Sequence, residues 1–343
     1  MQYEVTIGIP VYKAAGYIEH TMYSALNQTF PDIEFLVIDD CGEDGSIQIV
    51  ERLRKDHPRG KDIQILTNNQ NKGVGVTRNR IIDEAHGRYL YFLDSDDLIE
   101  PKTIQLLYDK TKEYQAEVVY GSLDRVDKIN GSPTLQYVLP DCCLLSEGEM
   151  ASYAFQNYDG FQISACNCLM DLNFLRSNHI RFIDTQYWED LAFTYEMVTR
   201  VRRAILVSDI TYHYLCRPGS LSHYQDREQI KKDEILVNVS TIDYLKNKCM
   251  ALVDKPYLPY LCKNLEMNSF YIVCHIHKHA RRIIPPFTYS EMRRILRHPL
   301  PFHYVFRFQQ LLLPNLFLFM LGRLPIFFFI PAIWVMGKLK RAI

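Results

Sequence analysis

Short apolar runs alternate with helix-like segments over the first 120 residues of the chain. Runs rich in β-branched and aromatic residues predict five strands, at Val5–Ile9, Glu34–Ile38, Ile63–Leu66, Arg88–Leu93 and Glu117–Tyr120. Between them, apolar residues recur at helical spacing near 14–28, 45–57, 74–86 and 101–114, and Pro101 is expected at the first position of the last helix. This alternation predicts an α/β fold with a mostly parallel sheet and helices on both faces.

The rest of the chain follows a different pattern. Residues 121–224 are less regular, with a helix expected from Trp188 to about Arg200 and a possible buried strand at Tyr212-His213-Tyr214. Residues 225–300 mix charged and apolar positions as surface helices do, and a strongly apolar end follows. We therefore predict one domain over 1–224, with halves 1–120 and 121–224, and a helical C-terminal region over 225–343.

Polar, glycine-rich or acidic residues follow the first four predicted strands. In open α/β sheets, ligands bind beyond the carboxyl ends of the strands, so these segments predict one ligand site. The segments are Pro10-Val11-Tyr12-Lys13, Asp39-Asp40-Cys41-Gly42, Asn68-Asn69 with Lys72-Gly73-Val74-Gly75, and Asp94-Ser95-Asp96-Asp97.

The acidic segment allows two interpretations. Asp94 and Asp96, two positions apart after a strand, can point into one loop cavity and hold a hard divalent cation such as Mg²⁺ or Mn²⁺. Such a cation shares its remaining ligands with water and substrate phosphates. The alternative is a polar turn in which Asp97 helps to cap the following helix.

Other nucleotide-binding signatures do not fit the same residues. A dinucleotide-binding domain would need G-x-G-x-x-G directly after strand one, where Pro10-Val11-Tyr12-Lys13 stands, and a P-loop signature is absent from the sequence. A nucleotidyltransferase also uses paired acids and stays an alternative, although the basic glycine-rich loop expected after its first strand is missing. A non-catalytic sugar- or lipid-binding protein is the alternative from another class.

Five motifs, taken in order, resemble those of inverting family-2 glycosyltransferases with a GT-A fold. The resemblance covers about residues 1–225 and implies transfer of a sugar from a nucleotide-diphosphate sugar, with UDP as the expected nucleotide, to an acceptor hydroxyl in surface polysaccharide or glycoconjugate synthesis. Lys13 and Cys41-Gly42 depart from the residues common in the family. The motifs are Ile9-Pro10-Val11-Tyr12, Val37-Ile38-Asp39-Asp40, the block from Asn68 to Asn79, Phe92-Leu93-Asp94-Ser95-Asp96-Asp97 and Trp188-Glu189-Asp190.

The resemblance also implies roles for the residues at the donor. Tyr12 would stack on the nucleotide base, Asp40 would read the uracil edge, and Asp94 would lie near the ribose. Asp96 would bind the metal ion, and Arg78 would line the nucleotide pocket. Further residues of these motifs are assigned to the same nucleotide-sugar site: Pro10, Asn68, Lys72 and Ser95.

The acid of the last motif is implied to be the catalytic base. That residue is Asp190, with Glu189 as its supporting neighbour. Judged by residue type alone, Asp190 could equally be an acid at a helix N-terminus, where the helix dipole favours negative charge. A single carboxylate base acting on the face opposite the leaving group predicts inversion at the anomeric carbon.

The leaving nucleotide diphosphate gains negative charge as the sugar bond breaks. A cation held by Asp96 would stabilise that charge, with Asp94 and His213 as further candidate ligands. Arg217 is a candidate for binding the nucleotide sugar beside it. His213 and Arg217 can also be read as residues of a buried strand and of a turn.

The cysteines and the first residues of the chain indicate the cellular compartment and argue against a zinc site. Nine cysteines without framework spacing, and a start MQYEVTIGIP without a signal-peptide pattern, favour free thiols in the cytoplasm. Cys166-Asn167-Cys168 and the segment Cys274–His279 each lack the second ligand pair of a zinc site, so we interpret them as packing and surface residues. We expect no nucleic-acid partner.

Positive charge concentrates at the end of the chain. Residues 275–343 contain eleven Lys or Arg and one acid, Glu291, whereas residues 1–274 contain 28 Lys or Arg and 39 Asp or Glu. The apolar run Leu311–Met336 holds one charge, Arg323, and is interrupted by Pro314, Pro325 and Pro331. It predicts a re-entrant or interfacial element in peripheral contact with the inner face of the cell membrane, which would suit an acceptor carried on a lipid. A pair of core helices is the alternative.

Overall fold

The chain forms two compact units in a computed structural model. One unit comprises Met1–Met150 with Asp159–Ser220, and the other comprises Ala151–Tyr158 with Leu221–Ile343. The predicted division between residues 224 and 225 lies close to the boundary at 220 and 221. The structure describes residues 3–129, 131–157, 161, 164–185, 187–216 and 229–340.

The first unit is built on one sheet. Its strands are β1 (Tyr3–Val11), β2 (Ile33–Asp39), β3 (Ile63–Thr67), β4 (Gly87–Phe92), β5 (Leu98–Ile99), β6 (Val118–Val126), β7 (Pro133–Tyr137), β8 (Cys142–Leu144), β9 (Cys168–Asp171) and β10 (Ala204–Leu215). Its helices are α1 (Ile18–Leu26), α2 (Ser46–Asp56), α3 (Val74–Glu84), α4 (Thr103–Tyr114), α6 (Leu172–Ser177) and α7 (Glu189–Arg200), and α5 (Glu149–Gln156) crosses into the second unit.

The predicted α/β fold is confirmed, with a sheet of two different halves. The strand order is β3-β2-β1-β4-β9-β6-β10-β5, and β7 and β8 pair with β6 and β10. The strands β3, β2, β1 and β4 are parallel. β9 runs antiparallel to both of its neighbours, while β6 and β10 are parallel to each other. The parallel half carries the nearly continuous apolar runs, because helices cover parallel strands on both faces.

The five predicted strands and four predicted helices of residues 1–120 are all present, with three corrections of detail. Helix α4 begins at Thr103 with Lys102 at its N-cap, so Pro101 precedes the helix rather than opening it. Pro10 lies inside β1, buried and paired in register with Ile38, rather than after the strand. Strand β6 runs through residue 120, so the chain is continuous across the two predicted halves.

The second unit is helical, as predicted. The central helix α9 packs against α8, α10, α12 and α13. No helix among the residues that the structure describes is both long enough and apolar enough to cross a bilayer. The elements are β11 (Ile230–Lys231), α8 (Lys232–Lys248), α9 (Leu258–Lys278), β12 (Ile283–Ile284), α10 (Tyr289–Ile295), α11 (Phe302–Val305), α12 (Leu312–Leu321) and α13 (Ile326–Leu339).

Candidate active site

The loops after β1 and β2 touch at the carboxyl edge of the sheet. Tyr12 follows β1 directly with its side chain exposed. A Cβ on Gly42 would come within 2.6 Å of the backbone nitrogen of Lys13, so only glycine allows this approach. Lys13 and Cys41 both have φ in the left-handed region, at 50° and 59°. Strained backbone persists only where the surrounding structure holds it in place. Such positions are common in functional loops.

Asp40 fixes the loop that leads into α3. Its buried carboxylate accepts hydrogen bonds from Asn68 Nδ2 at 2.7 Å, from the backbone of Lys72 at 2.8 Å and from the backbone of Gly73 at 2.8 Å. The Asn68 amide nitrogen also donates to Thr77 Oγ1 at 3.1 Å. Asp40 therefore ties the end of β2 to the N-terminus of α3, and Asn68 acts as a structural link within that loop.

The acidic segment after β4 alternates in burial. Asp94 and Asp96 are half-buried, whereas Ser95 and Asp97 are buried. Among the described residues, no group of three or more His, Cys, Asp and Glu is arranged to hold a metal ion by itself. Two half-buried carboxylates two positions apart are oxygen donors of the kind that a hard cation combines with water and phosphate oxygens, so the donor set fits Mg²⁺ or Mn²⁺.

Asp97 does not cap the following helix, contrary to one interpretation of the sequence. Its carboxylate accepts hydrogen bonds from the Tyr212 hydroxyl at 2.6 Å and from the Leu215 backbone at 2.7 Å, both on β10. The Tyr212 oxygen also accepts from the backbone of Asp94 at 3.4 Å. Burial, together with Asp96 and Asp94, raises the pKa of Asp97 well above its usual range. Asp97 and Tyr212 thus anchor the acidic loop to β10.

Arg78 on α3 gathers three carboxylates from two distant segments. Its Nη2 donates to Asp94 Oδ1 at 2.7 Å, and its Nη1 donates to Asp190 Oδ1 at 2.7 Å and to Glu189 Oε1 at 3.3 Å. The Arg78 side chain is only 3% exposed. With one guanidinium among three acids, the cluster would carry net negative charge if every carboxylate were ionised.

Aromatic rings and a glycine complete the surroundings of Arg78. Its guanidinium lies 5.4 Å from the ring centre of Phe182 and 6.0 Å from that of Phe92, distances at which an aromatic face attracts a cation. A Cβ on Gly75, one turn earlier in α3, would lie 3.2 Å from the carbonyl of Ile183 and 3.5 Å from the Cβ of Glu189. The small residue at position 75 thus lets α3 approach the segment that leads into α7.

Helix α7 presents the remaining acids at its first turn. Its N-cap, Trp188, has φ of 63°, again in the left-handed region. Burial and the neighbouring Asp190 raise the pKa of Glu189 to about 7, although Arg78 opposes the shift. Burial also raises the pKa of Asp190, again against Arg78. Glu189 therefore holds a proton up to near neutral pH, and the Asp190 side chain is the more exposed of the two.

The predicted site residue His213 has other partners. His213 Nδ1 pairs with Asp124 at 2.7 Å and Nε2 pairs with Glu100 at 2.9 Å. Both ring nitrogens are thus engaged away from Asp94 and Asp96, and we do not retain His213 as a metal ligand. Arg217 lies outside the described residues.

Comparison with known proteins identifies the first unit. The family described as "Glycosyl transferase family 2" matches residues 6–172, which run from β1 into α6 and include the whole acidic loop and Arg78. Residues 6–172 thus form a glycosyl transferase family 2 domain.

Individual glycosyltransferases are similar to this chain over segments of different length. The putative teichuronic acid biosynthesis glycosyltransferase TuaG of Bacillus subtilis is 40% identical over 93 residues, 27% of this chain and 36% of TuaG. Glycosyltransferase GlyG of Streptococcus pneumoniae is 23% identical over 220 residues, 63% of this chain and 72% of GlyG. The crystal structure of S. aureus TarS 1-349 in complex with UDP-GlcNAc has the same fold, with a TM-score of 0.57, 20% identity and coverage of 81% and 87% of the two chains.

Sequence reasoning missed Tyr212, which organises this family-2 site, and Asn167, a buried residue that links β6 to β10. Tyr212 was seen only as part of a buried strand, although its hydroxyl holds both Asp97 and the Asp94 backbone. Asn167, fully buried with φ of 59°, accepts from Thr211 Oγ1 at 2.6 Å and donates to the carbonyls of Gly121 and Ser122. An asparagine between two cysteines in an apolar stretch was the available signal, because a buried amide needs several partners.

Proposed function

We propose that this protein transfers a sugar from a UDP-sugar to an acceptor hydroxyl, with inversion, in the synthesis of a surface polysaccharide or glycoconjugate. The observation that carries the proposal is the Arg78 cluster, which holds Asp94 of the acidic loop and Asp190 of α7 on one guanidinium. Family membership and the UDP-GlcNAc bound by TarS support the donor class.

In this proposal Asp190 takes the proton from the acceptor hydroxyl as that oxygen attacks the anomeric carbon. The Asp190 side chain is a quarter exposed, so an acceptor can reach it, while Arg78 holds the carboxylate in position. Tyr12 offers an exposed ring on which a base can stack, and Asp40 keeps the neighbouring loop in place. Asp96 and Asp94 would hold Mg²⁺ or Mn²⁺, which would stabilise the charge of the leaving diphosphate.

Two variants test the assignment of base and metal ligand. Asp190→Asn should lower the transfer rate by about 10²- to 10⁴-fold, the usual contribution of a general base, while calorimetric UDP affinity stays near that of the unaltered protein. Asp96→Ala should weaken UDP binding only when Mn²⁺ is present. Asp209→Asn, an exposed acid on β10, serves as the matched control. Full turnover by Asp190→Asn would remove Asp190 as the base.

A screen for the donor tests the activity class. Binding of a ligand to the folded state raises the melting temperature by mass action. UDP or a UDP-sugar with Mn²⁺ should therefore stabilise the protein more than the nucleotide alone, and more than GDP with Mn²⁺. Absence of stabilisation by any nucleotide would favour a non-catalytic binding protein.

We further propose that the enzyme works at the cytoplasmic face of the cell membrane, in peripheral contact through its C-terminal region, on a carbohydrate or lipid-linked acceptor. The excess of basic residues after residue 275 supports this location, since cytoplasmic leaflets carry anionic lipids. Cell fractionation checks it: a salt-sensitive share of the protein should sediment with membranes, and recovery only in the supernatant at low salt would contradict it.

A further inference from the structure

Helix α13 is apolar on two opposite faces. One face packs into the second unit through Phe329, Ile333 and Gly337, at a spacing of four residues. The opposite face exposes large apolar side chains: Phe327 (85%), Phe328 (66%), Trp334, Val335 and Leu339. A surface helix normally turns polar residues outwards, so this outer face needs another explanation.

Helix α12 repeats the pattern. Asn315, Leu318 and Phe319 face inwards, and the Asn315 amide nitrogen donates to the carbonyl of Pro259 in α9 at 3.1 Å. The residues Leu313, Phe317 and Met320 are exposed and lie three or four positions apart, on one side of the helix. We call the exposed apolar side chains of α12 and α13 together the outer face: Leu313, Phe317, Met320, Phe327, Phe328, Trp334, Val335 and Leu339.

Cations border the outer face. The ammonium group of Lys338 lies 4.0 Å from the ring centre of Trp334, and Lys340 follows at the end of α13. Arg323 is exposed between the two helices, and its guanidinium lies 3.6 Å from the ring centre of the inward-facing Phe319. Trp beside Lys or Arg is the arrangement of residues that sit at a membrane–water interface, where the ring is apolar and the cation meets headgroups.

Charge and helix length decide between a bilayer and a second copy of the chain. Eleven Lys or Arg against one acid after residue 275 would repel the same segment of another copy, whereas anionic lipids complement it. Helices of 10 and 14 residues are shorter than the roughly 20 residues that span a bilayer. They suit an in-plane position at the level of the headgroups.

We propose that the outer face docks the protein onto an anionic lipid surface, with α13 as the main anchor and its aromatic residues inserted among the acyl chains. The inference rests on the peripheral location proposed above and specifies the residues and the lipid class. It does not depend on which donor or base the catalytic unit uses.

Vesicle flotation of the full-length protein tests the proposal. Binding to phosphatidylglycerol-rich vesicles should exceed binding to pure phosphatidylcholine vesicles and should weaken at high salt. The double variant Phe327→Ser/Phe328→Ser should lose on the order of tenfold or more in vesicle affinity, since such binding scales with the apolar area inserted. Tyr137→Ser/Val138→Ser, which alters two exposed apolar residues of the first unit, should bind vesicles like the unaltered protein.

Two further measurements keep the outcome interpretable. The fluorescence of Trp334 should shift to shorter wavelength with anionic vesicles, and Trp334→Phe should remove that shift. The UDP affinity and the melting temperature of Phe327→Ser/Phe328→Ser should match those of the unaltered protein. A loss of vesicle binding in this variant can then be distinguished from a failure of the proposed catalytic function. The proposal is overturned if neither vesicle type binds, if both bind equally at every salt concentration, or if the double variant abolishes self-association instead.

Discussion

The Nη1 atom of Arg78 lies 2.7 Å from Oδ1 of Asp190, although 112 residues separate them in the chain. The same guanidinium contacts Asp94 at 2.7 Å through its other terminal nitrogen. One buried cation therefore sets the distance between the acidic loop after β4 and the first turn of α7. Charged pairs with little water around them interact more strongly than surface pairs, so the cluster should matter for both stability and chemistry.

Removing Arg78 should be costly. Arg78→Met leaves three carboxylates without their cation, and breaking a buried ion pair typically costs about 3–5 kcal/mol of unfolding free energy. The unfolding free energy of Arg78→Lys should lie between those of the unaltered protein and Arg78→Met, because an ammonium cannot contact the acids on both sides as a guanidinium does. Urea unfolding measures the loss. The control Arg52→Met breaks an exposed pair with Glu19 and should cost at most about 1 kcal/mol; equal losses in both variants would contradict the role of Arg78.

Glu189 should make stability depend on pH near neutrality. Its pKa is about 7 in the folded protein and lower in the unfolded chain, so the folded state holds the extra proton between these values. The stabilisation is full at low pH and is lost as the pH rises through about 7. The melting temperature of the unaltered protein relative to Glu189→Gln should therefore fall between pH 5 and pH 8, by the equivalent of about 1–3 kcal/mol. A constant difference between the two proteins would refute this.

Tyr212→Phe should loosen the acidic loop without touching the donor. The hydroxyl donates to buried Asp97, and leaving a buried hydrogen-bond acceptor without its partner costs about 1–3 kcal/mol. We expect Mn²⁺-dependent UDP affinity to drop about two- to tenfold if half of that cost reaches the loop, with metal-free UDP affinity unchanged. His213→Gln, on the opposite face of the same strand, is the comparison. A larger effect from His213→Gln would restore His213 as a candidate ligand.

Lys246 and Glu266 should be coupled inside the helical unit. The Lys246 ammonium lies 2.7 Å from Glu266 and also donates to the carbonyls of Ile295, the last residue of α10, and of Arg297 just beyond it. Lys246→Met alone should cost about 3–5 kcal/mol, because it leaves a fully buried carboxylate. Lys246→Met/Glu266→Leu should recover much of that loss, as apolar replacements of buried pairs often do. Chemical unfolding of the three proteins gives the coupling energy.

The pattern of apolar and polar positions was sufficient for the parallel half of the sheet. Each predicted strand there is an apolar run, and helices cover such strands on both sides, so local sequence carries the signal. Strand β9 and the long β10 were harder, because the antiparallel pairing of β9 is a long-range relationship with no turn chemistry to mark it. Helix α4 begins at Thr103, two residues later than expected from Pro101, and a difference of that size is usual at a helix end.

Site residues that directly follow a strand could be predicted from the sequence. Site contacts between residues far apart in the chain could not. Tyr12, Asp40 and Asp94 stand at strand ends, and their placement at one edge follows from the topology. The partners of Asp97 could not be inferred, since Tyr212 lies 115 residues away and neighbouring acids suggested a helix cap instead. Arg78 was assigned to the nucleotide pocket by resemblance, but nothing local indicates that its guanidinium binds the acids.

The hydrogen bonds of Asp40 have a consequence for attempts to change the donor. The Asp40 carboxylate accepts hydrogen bonds from the backbone of Lys72 and Gly73, and helix α3, which begins at the next residue, carries Arg78. The residue that the family resemblance assigns to the uracil edge is thus connected through this loop to the residue that aligns the acids. An engineer who replaces Asp40 to accept another nucleotide would also shift the catalytic end, so altered specificity is better sought around Tyr12, whose ring is exposed.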